Sequence, residues 1–221
     1  MLQKPTGFNS CDGCPLQHKG IGFCPDKLAK HPRIIFWGEA PGKNEVAQGV
    51  PFVGSAGFAL REWLARPVPE LQMALERDEV TYSNTLRCLP PENKQGRAYP
   101  TGHERAEAEA YCRRYDPSLQ GVETIVLFGE AAQRLHFKRE LEAEDAVDKQ
   151  LGHDTKGVTG RVGREYTKEG IRYVFSLHPA FILRQPSLVG HGQASLRVAA
   201  NTERVIEPDY VTWNTALEEL R

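Results

Sequence analysis

Glu39, Phe52, Asn84 and His178 are side chains whose types could do chemistry together. Asn84 offers one donor and one acceptor, enough to read the edge of an amide-like ring. Phe52 can stack on such a ring. His178 can donate to, or shield, negative charge developing on a carbonyl oxygen. Glu39 can position or deprotonate water, or balance an oxocarbenium-like sugar. A ring, an amide reader, a charge stabiliser and a carboxylate together describe removal of a nucleobase from its sugar.

These residues need elements that bring them to one place. Glu39 and Phe52 lie in Gly38–Gly57, a loop rich in glycine and proline that follows the apolar run Ile34-Ile35-Phe36-Trp37. That run has the length of a buried strand. The loop lacks the Lys-Ser/Thr ending of a phosphate loop and the close glycines of a dinucleotide fingerprint. It offers a carboxylate and a ring, which suit a flat, polar, uncharged group better than a polyphosphate. Strands are expected at 33–37, 80–86, 124–128 and 173–177, and helices at 55–64, 102–115, 130–137, within 193–204 and at 210–220. Residues 138–170 read as surface connection with a possible hairpin near 161–166. Alternating strands and helices predict an α/β fold, a three-layer αβα sandwich on a mostly parallel four-stranded sheet. In that arrangement Glu39, Asn84, Gly129 and His178 all fall at or beyond strand C-terminal ends, where open α/β sheets bind ligands.

The chain has 221 residues, 40% of them hydrophobic, and a formal charge of −1. One domain spanning 1–221 is expected, with a Cys loop at 11–24 and an extra segment after about 186. The charge balance argues neither for nor against nucleic acid, which needs a local basic face. No run is long enough for a membrane span, and the N-terminus lacks a signal h-region. A cytoplasmic location is expected, where five cysteines point to metal or chemistry rather than disulfides. Cys11 and Cys14 have the two-residue spacing that lets two thiolates reach one metal centre. Cys24, Cys88 and Cys112 are candidates to complete the set.

The segments Gly38-Glu-Ala-Pro-Gly42, Gly49-Val-Pro-Phe-Val-Gly54, Asn84-Thr-Leu-Arg-Cys88-Leu-Pro-Pro91 and His178-Pro-Ala180, with Cys11-Asp-Gly-Cys14 and Cys112, carry a resemblance. Their order and spacing resemble the uracil-DNA glycosylase superfamily, and within it the iron–sulfur family 4 enzymes. The resemblance implies excision of uracil flipped from DNA, the first step of base excision repair. It implies Glu39 and His178 as catalytic residues, and Gly38, Phe52 and Asn84 as substrate-binding ones. It also implies a [4Fe–4S] cluster on Cys11, Cys14, Cys88 and Cys112, with zinc the alternative. The expected partner is uracil-containing DNA, single- or double-stranded, and the expected state a monomer without membrane association.

Some features depart from the family. Cys24 is extra and could replace Cys14 or Cys112. The stretch between Cys88 and Cys112 is long and carries Lys94 and Arg97 but no histidine before His103, so covalent trapping of DNA is not expected. Ala180 stands where serine is frequent. Glu45 is a weaker claimant to Glu39's role, Lys94 and Arg184 are candidate phosphate contacts, and one of Phe181, Ile182 and Leu183 is expected to wedge into the duplex. Two other classes stay open: a weakly catalytic damage-binding module, or glycosylase for another deaminated base, and a zinc-stabilised α/β hydrolase of free nucleosides or nucleotides.

Overall fold

In a computed structural model, the structure describes residues 11–17, 19, 21–93, 96, 97, 100, 102–151 and 157–200. The expectations for Lys94, for residues 201–204 and for a helix at 210–220 lie outside those residues. The first half contains β1 (Gly22–Phe23), β2 (Ile34–Gly38), α1 (Lys43–Gln48), α2 (Ser55–Ala59) running into a π-helical turn (Leu60–Ala65), α3 (Pro69–Glu76), β3 (Val80–Asn84) and β4 (Cys88–Leu89). There follow β5 (Glu92–Asn93), β6 (Gly96–Arg97), α4 (Gly102–Arg113), β7 (Thr124–Phe128), α5 (Gly129–Gln150), β8 (Glu165–Lys168), β9 (Ile171–Ser176), α6 (Pro179–Arg184) and α7 (Val189–Ala199).

The sheet is built from continuous apolar runs, as a sheet buried on both faces requires. Ile34 and Phe36 of β2 join Val80, Tyr82, Val126, Phe128 and Val174 on one face, under Leu60, Leu64, Leu71 and Leu196. Ile35 and Trp37 point the other way, with Ile125, Leu127, Tyr173 and Phe175, against Ala132, Phe137 and Leu141 of α5. The strand order is β3-β2-β7-β9-β8. The four expected strands are mutually parallel, and a fifth, β8, joins β9 antiparallel. The layered α/β architecture is as expected; the sheet has one strand more.

Three local readings need correction. The segment after 138, read as surface connection, continues α5 to Gln150, across non-helical backbone at Phe137. Its Lys/Arg/Glu/Ala content favours helix, and polarity disguised it as loop. Helix α3 was not expected, although Pro69 stands at its first turn, where proline starts helices well. The hairpin lies at Glu165–Ser176 rather than near 161–166.

The crossovers leave β2 and β3 side by side with register Gly38 opposite Asn84. Beyond the strands the pairing continues: Thr85 N donates to Gly38 O at 3.0 Å and Leu86 N to Glu39 O at 2.8 Å. Two chain segments are thus zipped together just where the candidate residues begin.

Candidate active site

Gly38, Phe52 and Asn84 meet at the end of that zipper. A Cβ placed on Gly38 would lie 2.6 Å from Asn84 Oδ1 and 2.8 Å from Phe52 Cζ. Only a residue without a side chain lets the amide and the ring approach this closely. Phe52 has φ +56°, a left-handed conformation that a bulky residue adopts only under constraint. Two contacts supply the constraint. Arg61 Nη1 donates to Phe52 O at 2.7 Å, and Gly57 lies so near that a Cβ there would sit 1.7 Å from the same oxygen. The Phe52 ring packs on Tyr82 and Phe128 at 5.6 and 6.2 Å between centroids. Core residue and pocket wall are here the same side chain.

A cavity of about 450 Å³ opens over these residues, lined among others by Ala40, Asn44, Phe52, Ser55, Asn84 and His178. His178 caps α6: its Nδ1 accepts from Ala180 N at 3.2 Å. Burial, with the Arg184 charge adding to it, pushes the His178 pKa down to about 4. The imidazole is therefore neutral at neutral pH, and with Nδ1 accepting, its proton sits on Nε2. The site offers a ring, an amide and a neutral N–H donor around one open volume.

The two acidic residues of the loop divide their work. Glu39 lies beside the cavity rather than in its lining, and its Oε1 accepts from Arg105 Nη1 at 3.2 Å. Arg105 also donates through Nε to Glu109 at 2.7 Å. Glu45 is buried and braces the loop, accepting from Gly42 N at 3.1 Å and from Gly54 N at 2.7 Å. Glu45 is thus occupied at both oxygens, three residues after its N-cap, the position of the glutamate in a capping box. That spacing was a signal available in the sequence. Of the three expected wedge residues, Ile182 is fully buried in the core, while Phe181 and Leu183 are part-exposed. Arg184 is exposed, with its guanidinium 5.9 Å from the Phe181 ring centroid.

The cysteines form a second centre. Cys14, Cys88 and Cys112 pack together with Leu16, Leu86 and Ala108. Burial pushes the Cys112 thiol up, and the charges of Cys14 and Cys11 add to the rise. Cys24 is elsewhere, buried with Val46 and Leu89, its pKa driven by burial to about 12. Among the described residues no three His, Cys, Asp or Glu side chains close tightly enough to hold a single ion. Cysteine sulfurs are the soft donors that zinc or an iron–sulfur cluster takes.

Arg87 organises this second centre. It is 1% exposed and donates to Asp26 Oδ1 and Oδ2, Asp116 Oδ1, Ser83 Oγ, Cys112 O and Tyr115 O, while its backbone N reaches Cys112 Sγ at 3.5 Å. Sequence reasoning missed Arg87 and Arg105, because an arginine is ordinarily a surface residue.

The family model described as uracil DNA glycosylase superfamily matches residues 25–202. A protein of Archaeoglobus fulgidus named Type-4 uracil-DNA glycosylase is 31% identical over 179 residues, 81% of each chain. One of the same name from Pyrobaculum aerophilum is 30% identical over 208 residues, 91% of this chain and 94% of that one. A third, from Sulfurisphaera tokodaii, is 30% identical over 81% of this chain and 74% of its own.

Proposed function

The chain belongs to the uracil DNA glycosylase superfamily, and from that premise we propose that it hydrolyses the N-glycosidic bond of uracil flipped out of DNA, leaving an abasic site. The observation that carries the reading is the convergence of Gly38, Phe52 and Asn84 beside a neutral His178.

The bond breaks with positive charge on the sugar and negative charge on the base. His178 donates from Nε2 towards the base oxygen, already oriented by the Ala180 bond, so no reorganisation is needed as charge develops. Phe52 stacks on the ring, and Asn84 pairs with its edge. Cytosine presents a donor where uracil presents an acceptor, and leaves buried polar groups unpaired against a rigid amide. Glu39, held by Arg105, faces the sugar side and orients the attacking water or balances the cationic sugar.

Cys11, Cys14, Cys88 and Cys112 would hold a [4Fe–4S] cluster; three of them pack together, and the fourth contributes to the shift of Cys112. Hydrolysis needs no electron transfer, and the cluster's contribution is to staple segments that are distant in sequence. A zinc-loaded protein would be colourless and a cluster-loaded one brown.

The test uses labelled oligonucleotides with one uracil, single-stranded or opposite guanine or adenine, with alkaline cleavage of the product. Cleavage by the wild type, lost in His178→Ala, is expected. Asn84→Asp should admit cytosine or erase the preference for uracil in a competition between the two bases. Unchanged selectivity would remove Asn84 from the reading role. Tight binding of the uracil strand without an abasic product would instead mark a damage-binding module.

A further inference from the structure

The helix that begins at the cavity continues outward as an aromatic ledge. Ser55 lines the cavity, and Phe58 stands three residues on, hence on the same helical face. Phe58 is 53% exposed and Trp63 38%. Their rings meet edge to face, 6.5 Å between centroids.

This meeting depends on an irregularity of the helix. In a regular α-helix a residue five positions on is rotated by about 140° and faces elsewhere. Between Phe58 and Trp63 the chain winds as a π-helix, with Arg66 N bonding Arg61 O at 2.8 Å. The wider winding returns the fifth residue to nearly the same face, and such turns recur at functional sites. The same turn carries Arg61, which holds the Phe52 carbonyl, and Trp63 O accepts from Gln193 Nε2 at 2.8 Å. Pocket wall and ledge are therefore parts of one rigid piece. Helix α6, which ends in the exposed Arg184, packs on α2.

We propose that Phe58 and Trp63 form a stacking platform for the unpaired bases beside the flipped uracil, making single-stranded DNA the preferred form of the substrate. The proposal rests on the glycosylase reading of the cavity. Two observations choose this occupant. The ledge is continuous with the cavity mouth, and its two rings are pre-arranged. Aromatic faces accept any base, but only a base that is not held in a duplex.

The probe is a fluorescein-labelled single strand bearing one 2′-fluoro-2′-deoxyuridine, which resists hydrolysis, and the same strand paired opposite guanine. Phe58→Ala and Trp63→Ala should each weaken single-strand binding about tenfold, the scale of one lost base–aromatic stack. Duplex affinity should change much less, and Trp63→Phe should restore most of the loss. Shortening the strand from either end should locate one side on which the last two nucleotides matter to the wild type and not to the double variant. Equal losses on single strand and duplex, or no loss, would overturn the proposal. So would a wild type that sediments as a dimer and becomes monomeric in both alanine variants, since the ledge would then serve a second copy. Stacking of DNA on Trp63 should also quench indole emission that Trp63→Phe lacks, a reading that needs no alanine variant to fold. If the wild type excises no uracil yet the alanine variants lose single-strand affinity, the glycosylase reading fails and the platform stands; intact excision with unchanged affinity gives the reverse.

Discussion

The base cavity and the cysteine centre lie on neighbouring parts of the same sheet edge but are built in opposite ways. The cavity is assembled by backbone: the β2–β3 register, the Gly38 and Gly57 approaches and the Glu45 brace set its side chains. The cysteine centre is assembled by side chains. Its thiols come from the Cys11–Cys14 turn, from β4 and from α4, and one buried arginine with two aspartates ties the start of β4 to the end of α4. Burial acts on both, to different ends. It holds His178 neutral with a proton ready to donate, and it holds Cys112 protonated among other thiols. Thiols gathered in that position would ionise only with a metal cation among them, whereas the base cavity holds its donor ready in the neutral form.

The contrast predicts a double dissociation. The largest effect is expected from Arg87→Met. It strands Asp26 and Asp116 and frees the end of α4, and removing one partner of a buried charge pair costs about 3–5 kcal/mol. Chemical denaturation should show that loss, and the purified protein should carry little iron–sulfur absorbance. Gly38→Ala should do the reverse. Its methyl group displaces Asn84 or Phe52, so single-turnover excision should fall at least about a hundredfold, near 2.7 kcal/mol of transition-state stabilisation. Colour should stay close to wild type, and the denaturation midpoint should fall less than in Arg87→Met. If Gly38→Ala bleached the protein, or Arg87→Met retained both colour and stability, the two regions would not be separate units.

A third effect concerns acid. His178 stays neutral in the fold down to about pH 4, and His136, buried edge-on to Trp37, down to about pH 3. The unfolded chain takes up these protons near pH 6.5, so their depressed values leave stability greatest above that pH. Stability should then fall as pH drops from 6.5 towards 4, by at most about 1.4 kcal/mol per unit for each imidazole. Denaturation midpoints at pH 7 and pH 5 measure the drop, and His136→Gln should shrink it. An unchanged gap would mean that His136 titrates normally.

Particular residues explain what the sequence made legible. Strands β2, β7 and β9 announced themselves as apolar runs because a doubly covered sheet leaves no polar face. Gly38, Phe52, Asn84 and His178 were legible because each ends or follows an expected strand. What was hidden depends on contacts between distant segments. Nothing local distinguishes Arg87, with its six acceptors, from a surface arginine, nor Arg105 as the residue that holds Glu39. Strand β8 is charged and only four residues long, an edge whose pairing shows only beside β9. The π-turn at Leu60–Ala65 leaves no mark in a pattern read at 3.6 residues per turn.

Phe52 carries a consequence for how this molecule can change over generations. Its ring fills the core against Tyr82 and Phe128 and also floors the cavity, and its backbone is pinned by Arg61 and Gly57. Selection for a larger or differently shaped base cannot enlarge the floor without opening a hole in the core. Drift towards higher stability by filling that core would narrow the cavity. Substrate range is therefore inherited together with the packing, and new preferences have an easier path through the rim, where the aromatic ledge can vary at no cost to the interior.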